Sequence, residues 1–462
     1  MDTNLMQMLF GLIVAITVLV ILVLRTRVHA FPALIIAALI AGTVGGYGVM
    51  ETLDSIKKGF GGTLGSIGII IGFGVILGAV FEMSGAAKRM ALTFIRLFGK
   101  GREEYALCVT GFIVSIPIFC DSAFIILSSL AKAISRNTGK SLTTLGIALA
   151  SGLIVTHTLV PPTPGPLVVI ANFGIDIGSF LVWSMLLSIP MAFSMILYGQ
   201  YAGKKVFRLP ALEGNGFVSI PYGNILEEQN LEDETDELPS AFLSFLPIAI
   251  PLLLIFLSTF LNAIGHKTGE ASGVLINTLH NMGNPVIAVG LGLLTGLFTL
   301  TKNFSRQEVI DATDESIKQA GIIIFVTGGG GALGMVLRDS GSGDAIAQAL
   351  VDFSIPAILL PIAIATLVRF VQGSGTVSLV TSSAIVAPVV SSGVIDIQPI
   401  LAALGCCVGG LFFSYFNDSY FWVVNRTLGI RSTSEQIQAW SVTSTVGWGT
   451  GVIILLLINA VL

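Results

Sequence analysis

Four ionisable side chains stand inside long apolar stretches of this chain: Asp121, His157, Arg369 and Asp418. A charge in hydrocarbon is costly, so such side chains usually face a partner or a water-filled cavity and mark an ion or substrate pathway. A carboxyl group removed from water holds its proton more readily, and an intramembrane histidine can change its charge near neutral pH. The sequence therefore makes Asp121, Asp418 and His157 candidates for proton coupling.

Each of these residues also has a structural interpretation. Asp121 could cap the N-terminus of a half-helix, and His157 could be a neutral hydrogen-bonding residue. Arg369 lies deep in an apolar run, roughly 20 Å of helical rise from its start. It could bind an anionic substrate, form an ion pair with Asp121 or Asp418, or reach the membrane interface with its long side chain. The sequence leaves these alternatives open.

Hydroxyl, amide and glycine residues surround the same ionisable groups. Such side chains suit a small polyhydroxylated solute because they donate and accept hydrogen bonds. Together with Arg369, the candidate substrate-binding residues are Ser122, Thr156, Thr158, Thr163, Gln372, Gly373, Ser374, Gly375, Thr376, Asn417 and Ser419.

All of these residues fall at or beside four predicted breaks in apolar helices, at 115–122, 156–166, 372–376 and 414–419. Proline interrupts helical hydrogen bonding, and irregular backbone at membrane depth is tolerated only inside protein or beside a water-lined cavity. Basic residues flank both ends of the first interrupted run, 105–136. That pattern predicts a re-entrant hairpin whose two ends face the cytoplasm and whose tip reaches the membrane midplane.

The composition indicates a membrane protein. Of 462 residues, 53% are hydrophobic and 11% charged, and the mean hydropathy is +0.90. Repeated apolar runs of about 20 residues predict an all-α polytopic membrane protein. There is no basic patch for nucleic acid, and the four cysteines lack metal-ligand spacing, so we expect no nucleic-acid partner, metal or cofactor. The glycine motif at 329–334 matches G-x-G-x-x-G, but its apolar helical flanks favour helix packing.

Two segments of the chain are related. Leu77–Ala91 aligns without gaps on Leu333–Ala347, yet cations follow the first copy and mainly acids follow the second. This opposite charge predicts two inverted-topology repeats, 1–202 and 241–462, joined by an acidic cytoplasmic linker, 203–240. We expect about ten transmembrane helices, two re-entrant hairpins and two broken helices. Loops are expected at 51–62 and over the basic segment that holds Lys88, Arg89, Arg96, Lys100 and Arg102. The predicted location is a bacterial inner membrane, with both termini outside.

The breaks also carry a family resemblance. The segments Phe119–Phe124, His157–Pro166, Gln372–Val377 with Arg369, and Asn417–Trp422 together resemble the motifs of the gluconate:proton symporter (GntP) family in the ion-transporter superfamily. This resemblance covers nearly the whole chain. It implies import of gluconate or a related sugar acid with protons, although relatives also carry D-serine.

Two positions depart from the motifs of that family. Thr163 stands where the family usually has histidine, and Cys120 stands in place of an aromatic residue. Both were expected to line the site, so the particular substrate stays open. A small carboxylate such as D-serine or glycerate is an alternative to a sugar acid.

The sequence thus predicts a carrier whose partners are a small anion, protons and membrane lipids; a homo-oligomer is also compatible with it. Sodium coupling is an alternative, because unwound backbone and polar side chains at broken helices also bind Na⁺. An intramembrane hydrolase that uses His157 and Asp121 is a remote alternative, since the expected metal-ligand and general-base motifs are missing.

Overall fold

The computed structural model describes residues 3–26, 28–99, 101–211, 217–219, 238–263, 274–342, 356–415 and 418–461. Across these ranges the chain is almost entirely helical, and a short antiparallel pair, β1 (Leu209–Pro210) and β2 (Phe217–Val218), forms the one sheet. The helices are α1 (Thr3–Arg25), α2 (Ala30–Val44), α3 (Val49–Ser84), α4 (Ala86–Phe98), α5 (Glu103–Val114), α6 (Cys120–Thr138), α7 (Leu142–Leu159), α8 (Pro164–Phe173), α9 (Ile177–Lys205), α10 (Ala241–Ala263), α11 (Val274–Met282), α12 (Pro285–Leu300), α13 (Arg306–Asp339), α14 (Leu359–Gln372), α15 (Gly375–Ser391), α16 (Pro399–Gly409), α17 (Ser419–Thr427) and α18 (Thr433–Val461).

Several helices have the length and apolar composition of membrane spans. Within the described ranges four qualify on their own: Leu142–Phe173, Ile177–Lys205, Ala241–Leu261 and Thr433–Val461. The two parts of α3, which meet at 45°, qualify as one further bent span, and shorter apolar helices accompany them. The predicted all-α polytopic membrane fold is therefore confirmed, while the number of spans and the inverted orientation of the halves stay predictions.

Two segments expected to be loops are helical. Residues 51–62 form the first turns of α3, in which Thr52 and Ser55 are buried while Lys57 is exposed. The basic segment after α3 forms α4, which buries Met90 and Ala91 and leaves Arg96 towards its exposed side. Both segments are amphipathic helices, whose mixed composition conceals them in a search for continuous apolar runs.

All four predicted breaks are present; three are shorter than expected, while the fourth, predicted at 414–419, extends over 410–418. Residues 115–119 join α5 to α6 in the first hairpin, and Gly373 and Ser374 alone join α14 to α15 in the second. Gly373 has a φ of 78°, a conformation that side chains rarely adopt, and it ends α14. The break between α7 and α8 covers only 160–163, because the prolines that follow fit the first turn of α8.

The packing around α7 in the first part of the chain is similar to the packing around α16 in the second part. In the first half α7 packs against α5, α6 and α9, and in the second half α16 packs against α14, α15 and α18. The long helices α3 and α13 lie side by side, and a Cβ atom at Gly59 would stand 2.3 Å from the carbonyl oxygen of Gly331. Such close approach between helices is typical of small residues in membrane proteins. The acidic run of the linker, 227–237, lies outside the described residues.

Candidate functional site

The start of α6, the C-terminal part of α7, the break between α14 and α15, and the start of α17 meet around one cavity of about 300 Å³. This volume lies at the lower end of the usual range for small-molecule sites. The lining residues are Cys120, Asp121, Ile154, His157, Arg369, Gly373, Ser374, Gly375, Thr376, Asp418, Ser419 and Tyr420. Asp121 and Ser374, which are more than 250 positions apart in the sequence, therefore face the same space.

Helices α6, α15 and α17 begin at this cavity. The first N–H groups of a helix have no partner within the helix, and its N-terminus carries partial positive charge. The hydroxyl of Ser374 accepts from the N–H of Val377 at 3.4 Å, and Asp418 Oδ1 accepts from the N–H of Tyr420 at 3.1 Å. No side chain caps α6 at Phe119 in the described structure. Three helix N-termini around one space make it favourable for an anion.

Arg369 and Asp418 form a buried ion pair beside the cavity. Arg369 Nη2 donates to Asp418 Oδ2 at 2.5 Å, and the two side chains are 3% and 7% exposed. The hydroxyl of Ser414 donates to the same carboxylate oxygen and accepts from Trp440 Nε1 at 2.9 Å. In the described structure, Nε and Nη1 of Arg369 are buried without a partner. Arg369 thus holds Asp418 and still has donors for a ligand, whereas its burial excludes the interfacial position.

Asp121 has different surroundings from Asp418. Its Oδ2 accepts a weak hydrogen bond from the thiol of Cys120 at 3.6 Å. Its Oδ1 is buried and has no hydrogen-bond partner among the described residues. The two carboxyl groups of the cavity are therefore not equivalent: Asp418 is compensated by Arg369, and Asp121 has no cationic partner among the residues that the structure describes.

His157 connects the breaks to one another. Its Nε2 lies 3.4 Å from the hydroxyl oxygen of Thr376, and its ring packs edge-on against Phe119 at 6.0 Å between centroids. The imidazole also borders a second space of about 20 Å³, beneath the first hairpin, which Thr163 lines. His157 is thus placed where the tips of the two hairpins come together.

Some predicted substrate-binding residues do not line the cavity. Thr156 donates to the carbonyl oxygen of Phe112 at 2.8 Å, and Thr158 donates to that of Ile154 at 2.8 Å. Thr163 donates to the carbonyl oxygen of Val160 at 2.5 Å. These three hydroxyls satisfy backbone groups, so the structure does not support the predicted solute contact.

The remaining predicted substrate-binding side chains are those of Ser122, Gln372 and Asn417. Ser122 is partly buried but does not line the cavity, although it follows Asp121 directly, because consecutive helical residues point in directions about 100° apart. The side chain of Gln372 and the whole of Asn417 lie outside the described structure.

Sequence reasoning missed several residues of the site. Ile154 and Tyr420 contribute its less polar wall, together with Cys120, which is one of the positions predicted to line the site. Ser414 and Trp440 hold Asp418 in place. Ser414 could have been selected as a hydroxyl within a predicted break, but Trp440 has no local signal because its contact depends on how α18 packs.

A helical membrane protein whose broken helices enclose a polar cavity belongs, by its architecture, to the transporters. In fold, the chain is similar to MtrF of Neisseria gonorrhoeae, which is described as one of a class of antimetabolite efflux pumps, with a TM-score of 0.64 at 13% identity. That comparison covers 94% of this chain and 96% of MtrF.

The chain belongs to the GntP permease family, whose sequence profile matches residues 6–461. It is 46% identical to an uncharacterized permease of Haemophilus influenzae over 98% of this chain and 92% of that protein. It is 33% identical to the gluconate permease of Pseudomonas aeruginosa over 98% of each chain. The family predicted from the four motifs is thus confirmed, and with it a multi-pass membrane protein of the gluconate permease type.

Proposed function

We propose that this protein is a proton-coupled symporter that imports gluconate or a related small sugar acid. The observation that carries the proposal is the convergence of three helix N-termini and Arg369 on one cavity. Two nitrogens of Arg369 have no hydrogen-bond partner in the described structure. Membership of the GntP permease family and the similarity to a gluconate permease support the same substrate class.

Binding of the substrate carboxylate follows from the charges around the cavity. Arg369 and Asp418 compensate each other, so the helix N-termini, the remaining N–H groups of Arg369 and the protonation state of Asp121 determine the local potential. Hydrogen bonds from a guanidinium to a carboxylate are about twice as strong as neutral ones. We therefore place the carboxylate between the start of α15 and Arg369.

The remainder of a sugar acid would meet both polar and apolar groups. Ser374, Thr376 and Ser419 present hydroxyls to the cavity, and these can donate to and accept from substrate hydroxyls. Ile154 and Tyr420 provide a surface for the C–H groups of the carbon chain. This combination suits a hydroxylated acid better than a purely aliphatic one.

Coupling to a proton follows from the second carboxyl group. Asp121 and a bound anion would share a cavity of about 300 Å³, where two negative charges repel strongly because little water screens them. Protonation of Asp121 removes that repulsion, so anion and proton should bind together. We assign the proton to Asp121 rather than Asp418, whose charge Arg369 already compensates; His157 would orient Thr376 through their contact.

Uptake into proteoliposomes tests the proposal. Labelled gluconate should accumulate when a pH gradient is imposed in sodium-free buffer, and unlabelled sugar acids should compete more strongly than D-serine, glycerate or small dicarboxylates. Accumulation that requires a sodium gradient would reject proton coupling. If no sugar acid is transported or competes, the substrate class is wrong, and recovery of a cleaved product inside the vesicles would instead support the hydrolase.

A further inference from the structure

A second opening lies at the far ends of α8 and α15, away from the central site. Two adjoining cavities of about 240 and 570 Å³ share Ala171, Asn172, Arg338, Ala387 and Pro388. On α15, Ala387 is eleven positions beyond Thr376 of the central site, which corresponds to roughly 17 Å along the helix. The first turns of α8 and α15 therefore border the central region, and their last turns border this second opening, which we call the vestibule.

Glycines of α3 and α13 form the opposite wall of the vestibule. Gly59 and Gly331 are in close contact, and a Cβ atom at either would collide with the other helix. Gly62 also borders the vestibule, but a Cβ atom there would have no atom within 4 Å. A side chain introduced at residue 62 would therefore enter open space without disturbing the contact between the helices.

Arg338 is the one ionisable residue that lines either cavity in the described part of the chain. Its Nη2 lies 3.4 Å from the carbonyl oxygen of Asn172, at the limit of a hydrogen bond, and no described carboxylate pairs with it. The neighbouring carboxylate of Asp339 instead accepts a hydrogen bond from Ser55 at 2.6 Å. The vestibule thus has positive charge without a compensating acid in its lining.

The charge pattern of the sequence predicts which side of the membrane the vestibule faces. The contacts of Ser55 with Asp339 and of Gly59 with Gly331 make α3 and α13 antiparallel. The other end of α3 leads into the basic helix α4, which the positive-inside rule places in the cytoplasm. Arg338 therefore lies at the end of the bundle that faces outside.

We propose that this vestibule is the external entrance of the transporter and that Arg338 concentrates small carboxylate anions in it before they reach the central site. This inference rests on the proposed function, in which the solute is an imported anion. A cleft with charge of one sign raises the local concentration of the oppositely charged ligand and its rate of association, and the effect weakens with ionic strength.

Cysteine labelling tests the charge and sidedness of the vestibule without requiring transport. All four native cysteines are buried, so Gly62→Cys should supply the reactive thiol. Gly61→Cys is the matched control: it is the preceding residue, has the same open surroundings, and does not line the vestibule. Anionic and cationic methanethiosulfonate reagents of similar size, both membrane-impermeant, would be added outside intact cells.

We expect the ratio of anionic to cationic labelling rates to be about fivefold higher at residue 62 than at residue 61. Arg338→Gln and high salt should each remove this difference, and Arg338→Lys should retain it. If the ratio of anionic to cationic labelling rates is the same at residues 62 and 61, the proposal is overturned. Labelling only from the cytoplasmic side would also overturn it. Because this experiment measures a labelling rate and not transport, it tests the proposal about the vestibule independently of whether gluconate is the substrate.

Transport kinetics provide a second readout. Arg338→Gln should raise the KM for gluconate by about threefold at low ionic strength and leave the maximal rate unchanged. Attachment of a bulky reagent at Gly62→Cys should block uptake, while attachment at Gly61→Cys should not. Normal uptake by the blocked Gly62→Cys protein would show that substrate enters elsewhere and would overturn the proposal.

Discussion

Replacement of Asp121 by asparagine tests the coupling mechanism most directly. The central cavity contains two carboxyl groups, and Arg369 already compensates Asp418. Asp121 therefore supplies one proton-binding group, and a monocarboxylate bound with one proton adds no net charge. A pH gradient of one unit is worth about 1.4 kcal/mol per proton. The wild-type protein should therefore accumulate gluconate about tenfold, and a membrane potential should add nothing.

The assay measures labelled gluconate in proteoliposomes, with an imposed pH gradient or an imposed potassium diffusion potential. Asp121→Asn should equilibrate gluconate without accumulating it, since the amide mimics the protonated carboxyl group but cannot release a proton. Exchange of internal for external gluconate should continue. Asp396→Asn is the matched control, because Asp396 is an exposed carboxylate outside the helices.

Three results would contradict this reasoning. Accumulation by Asp121→Asn would exclude Asp121 as the proton carrier. Loss of exchange in a variant that remains folded would indicate that the carboxylate is needed for binding rather than only for coupling. Wild-type accumulation driven by the membrane potential would refute the neutral complex of one proton and one anion.

Three further predictions concern residues around the site. Arg369→Gln should weaken gluconate binding, measured directly, by about 2 kcal/mol or more. Adding Asp418→Asn to this variant should restore its stability in thermal unfolding but not its affinity for gluconate. Lys140→Met should lower the free energy of unfolding by about 2 kcal/mol and also lower the unfolding temperature in detergent. The reason is that the buried carboxylates of Glu103 and Glu104, at the base of the first hairpin, would lose their ion pairs with Lys140. Gly78→Ala should impair uptake, since the added Cβ would stand 2.5 Å from a carbonyl oxygen at the hairpin tip. Gly72→Ala, which meets open space on the same helix, should transport normally; equal uptake by both variants would contradict the predicted clash.

The helix breaks were predictable because their causes are local. Prolines and a glycine–serine pair interrupt the apolar runs, and three of the four breaks lie within the predicted ranges, while the fourth begins four residues earlier, at 410. Their lengths were not predictable, since Pro164 and Pro166 begin a new helix rather than prolong the irregular segment. The amphipathic part of α3 was missed for a related reason: Lys57 and Lys58 interrupt its apolar pattern, although the buried face is continuous.

The orientation of individual hydroxyls required the tertiary structure. Thr156 and Thr376 both stand near a break in the sequence, yet Thr156 donates to a backbone carbonyl and Thr376 faces the cavity. The direction of each side chain depends on the rotation of its helix against its neighbours. For Arg369, the sequence offered several partners, and only packing selected Asp418, 49 positions away.

By itself, the sequence determined that the chain is a polytopic helical membrane protein of the GntP permease family, and it located the polar interruptions. These properties depend on composition and on residues close together in the chain, which act through local backbone preferences and transfer from water to lipid. Only the tertiary structure decided that Arg369 compensates Asp418 and that Asp121 has no cation beside it in the described part of the chain. That asymmetry results from helix packing between distant segments, and the proposed proton coupling depends on it.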